Sequence, residues 1–343
     1  RPRPPGQSLP DTIDGDPSGA TPKRCYSQSE DLVFNQTASI SADLIYLCDA
    51  ILPPPPVGGT IIIPIQRVYL VLNNVNLIRA SDQQLVPTYS MTLSLDVGSW
   101  AWGFEATLPG IAQSLVEPTN DGPVELIANI NGTAFRVLAE RLTRERVFGD
   151  NRIRVSGRSK HALLDAPYSP ILSFNNKTDR SHQQLFDGVL QNKGIPLGWA
   201  IDYGLESWNV PSGAFSHQGT YISALAKLAK AGGAYLLPDT NQQAFKIVPQ
   251  YPTPPWNWGD LTPAFMLPTD AISRESITWN EKPAYNRVFV SGEGQGILGQ
   301  ITRSGTAGDL LAPMVTDSLI TSASAARQRG LSILSDTGRQ FEM

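Results

Sequence analysis

Alternation of apolar and polar residues is cleanest between Thr88 and Leu108. Tyr89, Met91, Leu93, Leu95 and Val97 alternate with Thr88, Ser90, Thr92, Ser94 and Asp96, the period of a half-buried strand. After Gly98-Ser99 the pattern resumes on the other parity, with Trp100, Trp102, Phe104, Ala106 and Leu108 apolar. A two-residue loop sets its flanking residues opposite one another on one face, so this parity switch predicts a tight antiparallel hairpin. Val97 then faces Trp100, Leu95 faces Trp102, Leu93 faces Phe104 and Met91 faces Ala106, with Gly98 supplying the positive φ of a type II′ turn. Trp102 and Phe104 belong to the buried face, and Thr92, Ser94 and Glu105 to the other.

The same reading carries along the chain. Further strands are predicted at 68–78 and 124–130, and a segment at 135–147 turns at Gly149-Asp150-Asn151 into a strand at 152–156. From Arg158 the period changes. Ser181 with Gln184 forms a capping box, and Leu185, Phe186, Val189 and Leu190 make a helical stripe ended by Gly194. A second helix starts at Thr220 and stops at Gly232-Gly233, before a hairpin around Asp239-Thr240-Asn241. Beyond Trp256, strands are predicted at 274–279, 287–291 and 297–303 and a final helix at 323–335. Residues 1–66, with Arg1-Pro-Arg-Pro-Pro and Pro53 to Pro56, read as an extended arm with one short strand at 44–47. Such an arm is either ordered on a neighbouring chain or a disordered tail.

The fold class is therefore mainly β with α+β. The expected domains are a Pro-rich N-terminal arm at 1–66, a first β-barrel at 67–157, an α+β module at 158–252 and a second, incomplete β-barrel region at 253–343. Composition agrees with a β-rich, loop-rich protein: of 343 residues, 17% are charged, while Gly (29) and Pro (28) are abundant. A net charge of −4 gives no basic footprint for tight nucleic-acid binding. No run of eighteen apolar residues is present, so no stable membrane insertion is expected. Arg1 is not an initiator Met and Met343 follows a helix without a polar tail, so the chain reads as a piece of something longer.

Chemical motifs are weak. Gly294-Gln-Gly296-Ile-Leu-Gly299 matches a dinucleotide fingerprint and follows a strand, but Gln300-Ile-Thr-Arg alternates like a strand where a helix should open. His161, His182 and His217 have no metal-ligand spacing. Cys25 and Cys48 read as two reduced thiols, as one local disulfide, or as half of a site completed elsewhere. Asn35, Asn131 and Asn176 begin glycosylation-type triplets. No catalytic, cofactor-binding or metal-ligating residue is assigned, and no cofactor is expected. One basic concentration stands out: Arg136, Arg141, Arg144, Arg146, Arg152, Arg154, Arg158 and Lys160. It is either a contact to an acidic partner or nucleic acid, or a solvated β-face of cross-strand ion pairs.

Three segments carry a family resemblance. They are Arg152-Ile-Arg-Val-Ser-Gly-Arg158-Ser leading to Leu163-Leu-Asp165, the run from Gly219 to Gly233 followed by Ala234-Tyr-Leu-Leu, and Tyr285-Asn-Arg287-Val-Phe-Val-Ser-Gly292. In sequence and order they resemble the central hub proteins of tailed-phage baseplates and tail tips, including the large tail proteins of Mu-like phages. The resemblance implies two tail-tube-like β-barrel domains per chain and a homotrimer whose six barrels join the six-fold tail tube to a three-fold tip. Implied partners are the tail-tube or distal-tail protein ring and the tip or central-fibre proteins. DNA would pass through the channel without specific binding, in a virion protein with no enzymatic activity. Open sheet edges for subunit contact are expected at 124–130 and 287–291. The alternatives are a carbohydrate-binding or cell-wall-degrading tail module, with Trp256, Trp258 and Trp208 as an aromatic platform, and a secretion-system spike of the same architecture.

Overall fold

The computed structural model describes residues 73–342 without 121, 264–265, 267–271, 273 and 295–296, together with the backbone of two short strands nearer the N-terminus. These two, β1 (Cys25–Tyr26) and β2 (Leu47–Cys48), form an antiparallel ladder with Cys25 opposite Cys48. The rest of the expected arm, Asn35 and the start of the 68–78 strand lie outside the described residues.

The first block holds β3 (Val75–Arg79), β4 (Ser90–Ser94), β5 (Gly103–Pro109), a short helix α1 (Gln113–Val116), β6 (Val124–Ile130), β7 (Thr133–Ala139), β8 (Arg141–Val147) and β9 (Asp150–Arg158). They make two antiparallel sheets, β3-β6-β7 and β4-β5-β9-β8. Leu77, Leu126, Ala128 and Val137 from the first sheet meet Phe104, Leu108, Ile153 and Val155 from the second in one core. Each large apolar side chain fully buried there contributes roughly 1.5–3 kcal/mol. β7 and β8 are one path that changes sheets at Glu140. A strand turning a corner this way brings two sheets face to face.

The hairpin register is as read from the alternation: Leu93 lies opposite Phe104 and Met91 opposite Ala106. Its end differs. The ladder stops at Ser94 and Gly103, and the turn centres on Val97-Gly98, with the Ser99 N–H donating to the Asp96 carbonyl (2.9 Å). Gly98 keeps a positive φ of 88°, one position later in the turn than expected. Competing bonds draw Trp100 to Trp102 away. The Trp102 N–H donates to Ser159 Oγ (3.1 Å), and its indole to the Pro238 carbonyl (3.2 Å). Trp102 is consequently half-buried, edge-on to Phe135, while Ala101 and Phe104 are buried. The turn between β8 and β9 likewise sits at Phe148-Gly149, one residue before the expected site.

After β9 come β10 (Leu172–Asn175), β11 (Arg180–Ser181), α2 (His182–Val189), β12 (Gln191–Asn192), β13 (Ile195–Pro196), β14 (Ala200–Tyr203), β15 (Asn209–Val210), β16 (Ser216–Gly219), α3 (Tyr221–Ala231), β17 (Ala234–Pro238) and β18 (Ala244–Pro249). The Ser181–Gln184 capping box is formed, and Thr220 caps α3 through its side chain. Each such cap is worth about 1 kcal/mol. α2 ends at Val189, short of Gly194, because Lys193 and Gly194, both at positive φ, make the tight turn between β12 and β13. β18 is central in its sheet, parallel to β14 and antiparallel to β17.

The remaining elements are β19 (Thr278–Glu281), β20 (Arg287–Gly292), β21 (Leu298–Thr302), β22 (Val315–Asp317), α4 (Ala323–Ser335) and β23 (Arg339–Glu342). The sheet β21-β20-β22 lies under α4, where a Cβ on Gly299 would meet Ala326 Cβ at 2.7 Å. Val288, Val290, Leu319, Ile320 and Ala325 join Phe186, Leu225 and Ile247 in one second core, so packing continues across residue 253. Strand predominates over helix throughout, and the fold is mainly β.

Phe104 is 1% exposed and Glu105 beside it faces water. Phe104→Ala is expected to destabilise the fold by roughly 3–5 kcal/mol, and Glu105→Ala by less than about 0.5 kcal/mol. Urea unfolding of both variants at neutral pH checks the pair, and equal losses would contradict the observed register.

Candidate assembly surface

The outer face of β4-β5-β9-β8 carries much of the basic run that the sequence analysis singled out. Register sets its rows: Thr92, Glu105, Ser156 and Arg141 lie side by side, and so do Ser90, Thr107, Arg154 and Thr143. Shallow depressions between the rows are lined by Glu105, Thr107, Glu145, Arg152 and Arg154. Both signs of charge are present. Arg154 reaches Glu145 at 3.5 Å and Arg152 reaches Asp150 at 2.7 Å. Exposed pairs of this kind contribute about 0–1 kcal/mol each, so they leave the face solvated and adaptable.

The basic concentration thus resolves mostly into ion pairs. Arg136 and Lys160 share Glu125 (2.8 and 3.1 Å). Among the described residues Arg141, Arg144 and Arg146 form no ion pair, although Arg144 donates to Gln113 Oε1 (3.1 Å). These three lie on β8, one edge of the sheet. The edges expected at 124–130 and 287–291 are not edges: β6 lies between β3 and β7, and β20 between β21 and β22. The first run is rich in Val, Leu and Ile and the second in Val and Phe, as central strands are. β7 is an outer strand of its sheet, but the 239–241 loop covers it, with the Arg136 N–H donating to the Thr240 carbonyl (2.8 Å).

At the Arg158 end of β9 the same face runs into the junction with the α+β residues. Arg158 forks onto Glu140 (2.7 and 3.0 Å) and reaches Asp165 (3.3 Å), with Trp100 under its guanidinium. The Glu140 carboxylate raises the Arg158 pKa against the opposing effect of burial. Asp165 in turn accepts from Thr220 Oγ1 (2.8 Å), the cap of α3. Sequence reasoning left Arg158 between a partner contact and a solvated face of cross-strand ion pairs, and did not identify this half-buried cluster, in which Glu140 and Thr220 lie eighty residues apart. The available signal was a charged residue inside the run Val155-Ser-Gly-Arg-Ser, which leaves a buried strand.

The three histidines are separate. Buried His161 is held by Ser159 Oγ (3.1 Å) and the Ala244 carbonyl (2.9 Å). Buried His182 bonds Tyr203 Oη (2.7 Å) and the Leu228 carbonyl (3.1 Å), and stacks on Trp208 at 3.8 Å. His217 meets Ser223 Oγ (2.8 Å). Burial lowers the pKa of all three, to about 4 for His161 and about 3 for His182. Among the described residues no cluster of His, Cys, Asp or Glu is arranged to hold a metal ion.

The aromatic platform is not assembled. Trp208 is buried and donates to the Leu319 carbonyl (2.9 Å), Trp256 is half-buried beneath Arg303, and Trp258 is exposed. Gly299 lies within β21, paired with Val290, and not at a helix start. Asn176 is buried, with its amide spent on the Val210 and Pro211 carbonyls, whereas Asn131 sits in an exposed turn. No helix of the described residues is long and apolar enough to cross a membrane.

No protein-family model and no curated protein sequence matches the chain. Among solved structures it is similar to a tail protein from Neisseria meningitidis MC58, with 14% identity and a TM-score of 0.49 over 75% of this chain and 73% of that one. It is also similar to the 43 kDa tail protein of prophage MuSo2 from Shewanella oneidensis, with 17% identity and a TM-score of 0.45 over 76% and 77% of the two chains. A third similarity is to an E. coli component of the type VI secretion system, at 11% identity and a TM-score of 0.37 over 50% and 48%.

Neutral His161 and His182 tie stability to pH. Both folded pKa values lie below the ordinary 6.5, so the unfolded chain binds protons that the native core refuses. Stability contributed by the neutral rings is present above pH 6.5 and is expected to fall as pH drops toward about 4 and then about 3. Urea unfolding between pH 7 and pH 4 should show a steeper loss in the native protein than in His161→Gln. Equal slopes would contradict a neutral buried His161.

Proposed function

We propose that this protein is a structural hub of a bacteriophage tail tip, with no enzymatic activity of its own. The observation that carries the reading is where the three resembling segments fall in the fold. The run from Arg152 to Asp165 is the strand that leaves the first pair of sheets, turns through Ser159 and enters the α+β residues. The run from Gly219 to Leu237 is α3 stepping directly into β17. The run from Tyr285 to Gly292 is β20, the central strand of the last sheet. Order and local structure both match what the resemblance requires of a hub chain.

In this reading the two first-block sheets form one tail-tube-like barrel, and the residues after 253 supply the second. Three chains then close a ring of six barrels around a channel for DNA, between the tail tube and the tip. The solvated face of β4-β5-β9-β8 suits a wall along which a polyanion slides, because Arg152, Arg154 and Arg158 along it are held by carboxylates and are not free sites for phosphate. The arm at 1–66 orders on a neighbouring chain.

Imaging of the assembled tail is expected to show three copies of this chain around the axis. Six copies, or one, would overturn the reading. Deleting residues 1–60 is expected to leave the folded core intact while weakening assembly, read by urea unfolding and by sedimentation. Loss of folding without an assembly defect at matched folded protein would remove the arm from the interface.

A further inference from the structure

The two edges of the four-stranded sheet are built differently. β8 presents Arg141, Arg144, Glu145 and Arg146, the kind of charge that deters pairing with another strand. β4 presents none: from Thr88 to Leu95 the chain has no charge, proline or glycine. Among the described residues no strand lies beyond β4. Its core-facing Met91 and Leu93 are only half-buried, although Phe104 opposite Leu93 is fully buried. Among the described residues the core is thinly covered along this edge, and the neighbouring Tyr89 is 65% exposed.

The same chain carries a surface of matching character. Among the described residues β19 and β23 pair only with each other, and every residue of β19 is exposed. Trp279 and Phe341 stand directly opposite on this ribbon, their rings 5.5 Å apart and 64% and 58% exposed. A two-stranded ribbon is at best marginally stable in water, and an uncovered aromatic pair adds to the reason for it to dock.

We propose that the β19–β23 ribbon of one copy adds to the β4 edge of a second copy, extending the sheet between chains. The lengths correspond: four residues in each ribbon strand against five in β4. β4 is uncharged, and on the ribbon Glu281 and Arg339 face one another at 3.8 Å, with Glu342 the remaining charge at its end. Side-by-side addition supplies main-chain partners to β4 and sets Trp279 and Phe341 in line with Met91 and Leu93, covering the core along that edge. Donor and acceptor are different surfaces, so the contact is heterologous and closes into a ring when the rotation allows. This deepens the hub reading and rests on it for the number of copies.

The test uses the full chain in sedimentation velocity across a concentration series. Met91→Lys breaks the acceptor and Trp279→Ser the donor, with circular dichroism verifying that each variant is folded. Each is expected to weaken self-association by about tenfold or more. An equimolar mixture is expected to form a 1:1 dimer and nothing larger, because one intact donor meets one intact acceptor. Trp279 is exposed, so its variant keeps the test decisive even where Met91→Lys fails to fold. In that case Ser94→Cys and Asn280→Cys on separate chains should form an intermolecular disulfide, and its absence counts against the contact. Wild-type trimers that persist in Trp279→Ser would overturn this contact and leave the hub reading standing. A wild type that stays monomeric throughout would overturn the contact directly, while the symmetry of the assembled tail still decides the hub.

Discussion

Where β9 passes β7, the two backbones come so close that a Cβ on Gly157 would lie 1.8 Å from the Leu138 carbonyl oxygen. Only glycine fits, and the rest of the molecule depends on that approach. It lets the β7–β8 path turn at Glu140 from one sheet into the other, with the Glu140 N–H donating to the Ser156 carbonyl (3.1 Å). It also fixes the direction in which Arg158 and Ser159 leave the first block. A side chain at 157 would hold the sheets apart and open the core formed by Phe104, Leu126 and Ile153 between them.

Directly after this crossing the chain places its most connected charge. Arg158 sits between Glu140 and Asp165, and Asp165 bonds the cap of α3, so one guanidinium links the corner of the first block to the start of a helix. An isolated exposed pair would add little. Here the partners are partly buried and further hydrogen-bonded, and removing one would leave the other charge desolvated. Ser159 repeats the theme without charge. Its Oγ accepts from the Trp102 N–H and contacts His161 Nδ1, while the His161 Nε2 side reaches Ala244 in β18. The two blocks are joined by directional polar contacts more than by a shared apolar surface, a joint that holds orientation as well as contact.

Elements governed by local rules were legible in the sequence. The Leu93–Phe104 register, the Ser181 capping box, α3 between Thr220 and Gly232, the β17–β18 hairpin and α4 all follow from periodicity and caps. What was not legible depends on partners distant in sequence. Trp102 leaves its ladder because Ser159 and Pro238 bind it. Arg158 is a half-buried clamp because Glu140 and Asp165 arrive from other elements. The open edges were misplaced for a related reason. Apolar runs such as β6 and β20 have a strand paired on each flank, so they mark central strands.

The same physics explains why the legible hairpin is also the exposed one. A strand buried on one face and paired on one side has no reason to break its alternation, so β4 keeps an uninterrupted period of two. Nearby β8, which also lacks an outer neighbour among the described residues, breaks the pattern with arginines and a glutamate. Charge on an edge strand disturbs alternation and protects against pairing at once. The clarity of the Thr88–Leu95 pattern and its lack of protection are therefore one property seen twice. An edge of this length left unguarded, beside one that is guarded, is what a sheet needs if it is to be extended on one side only.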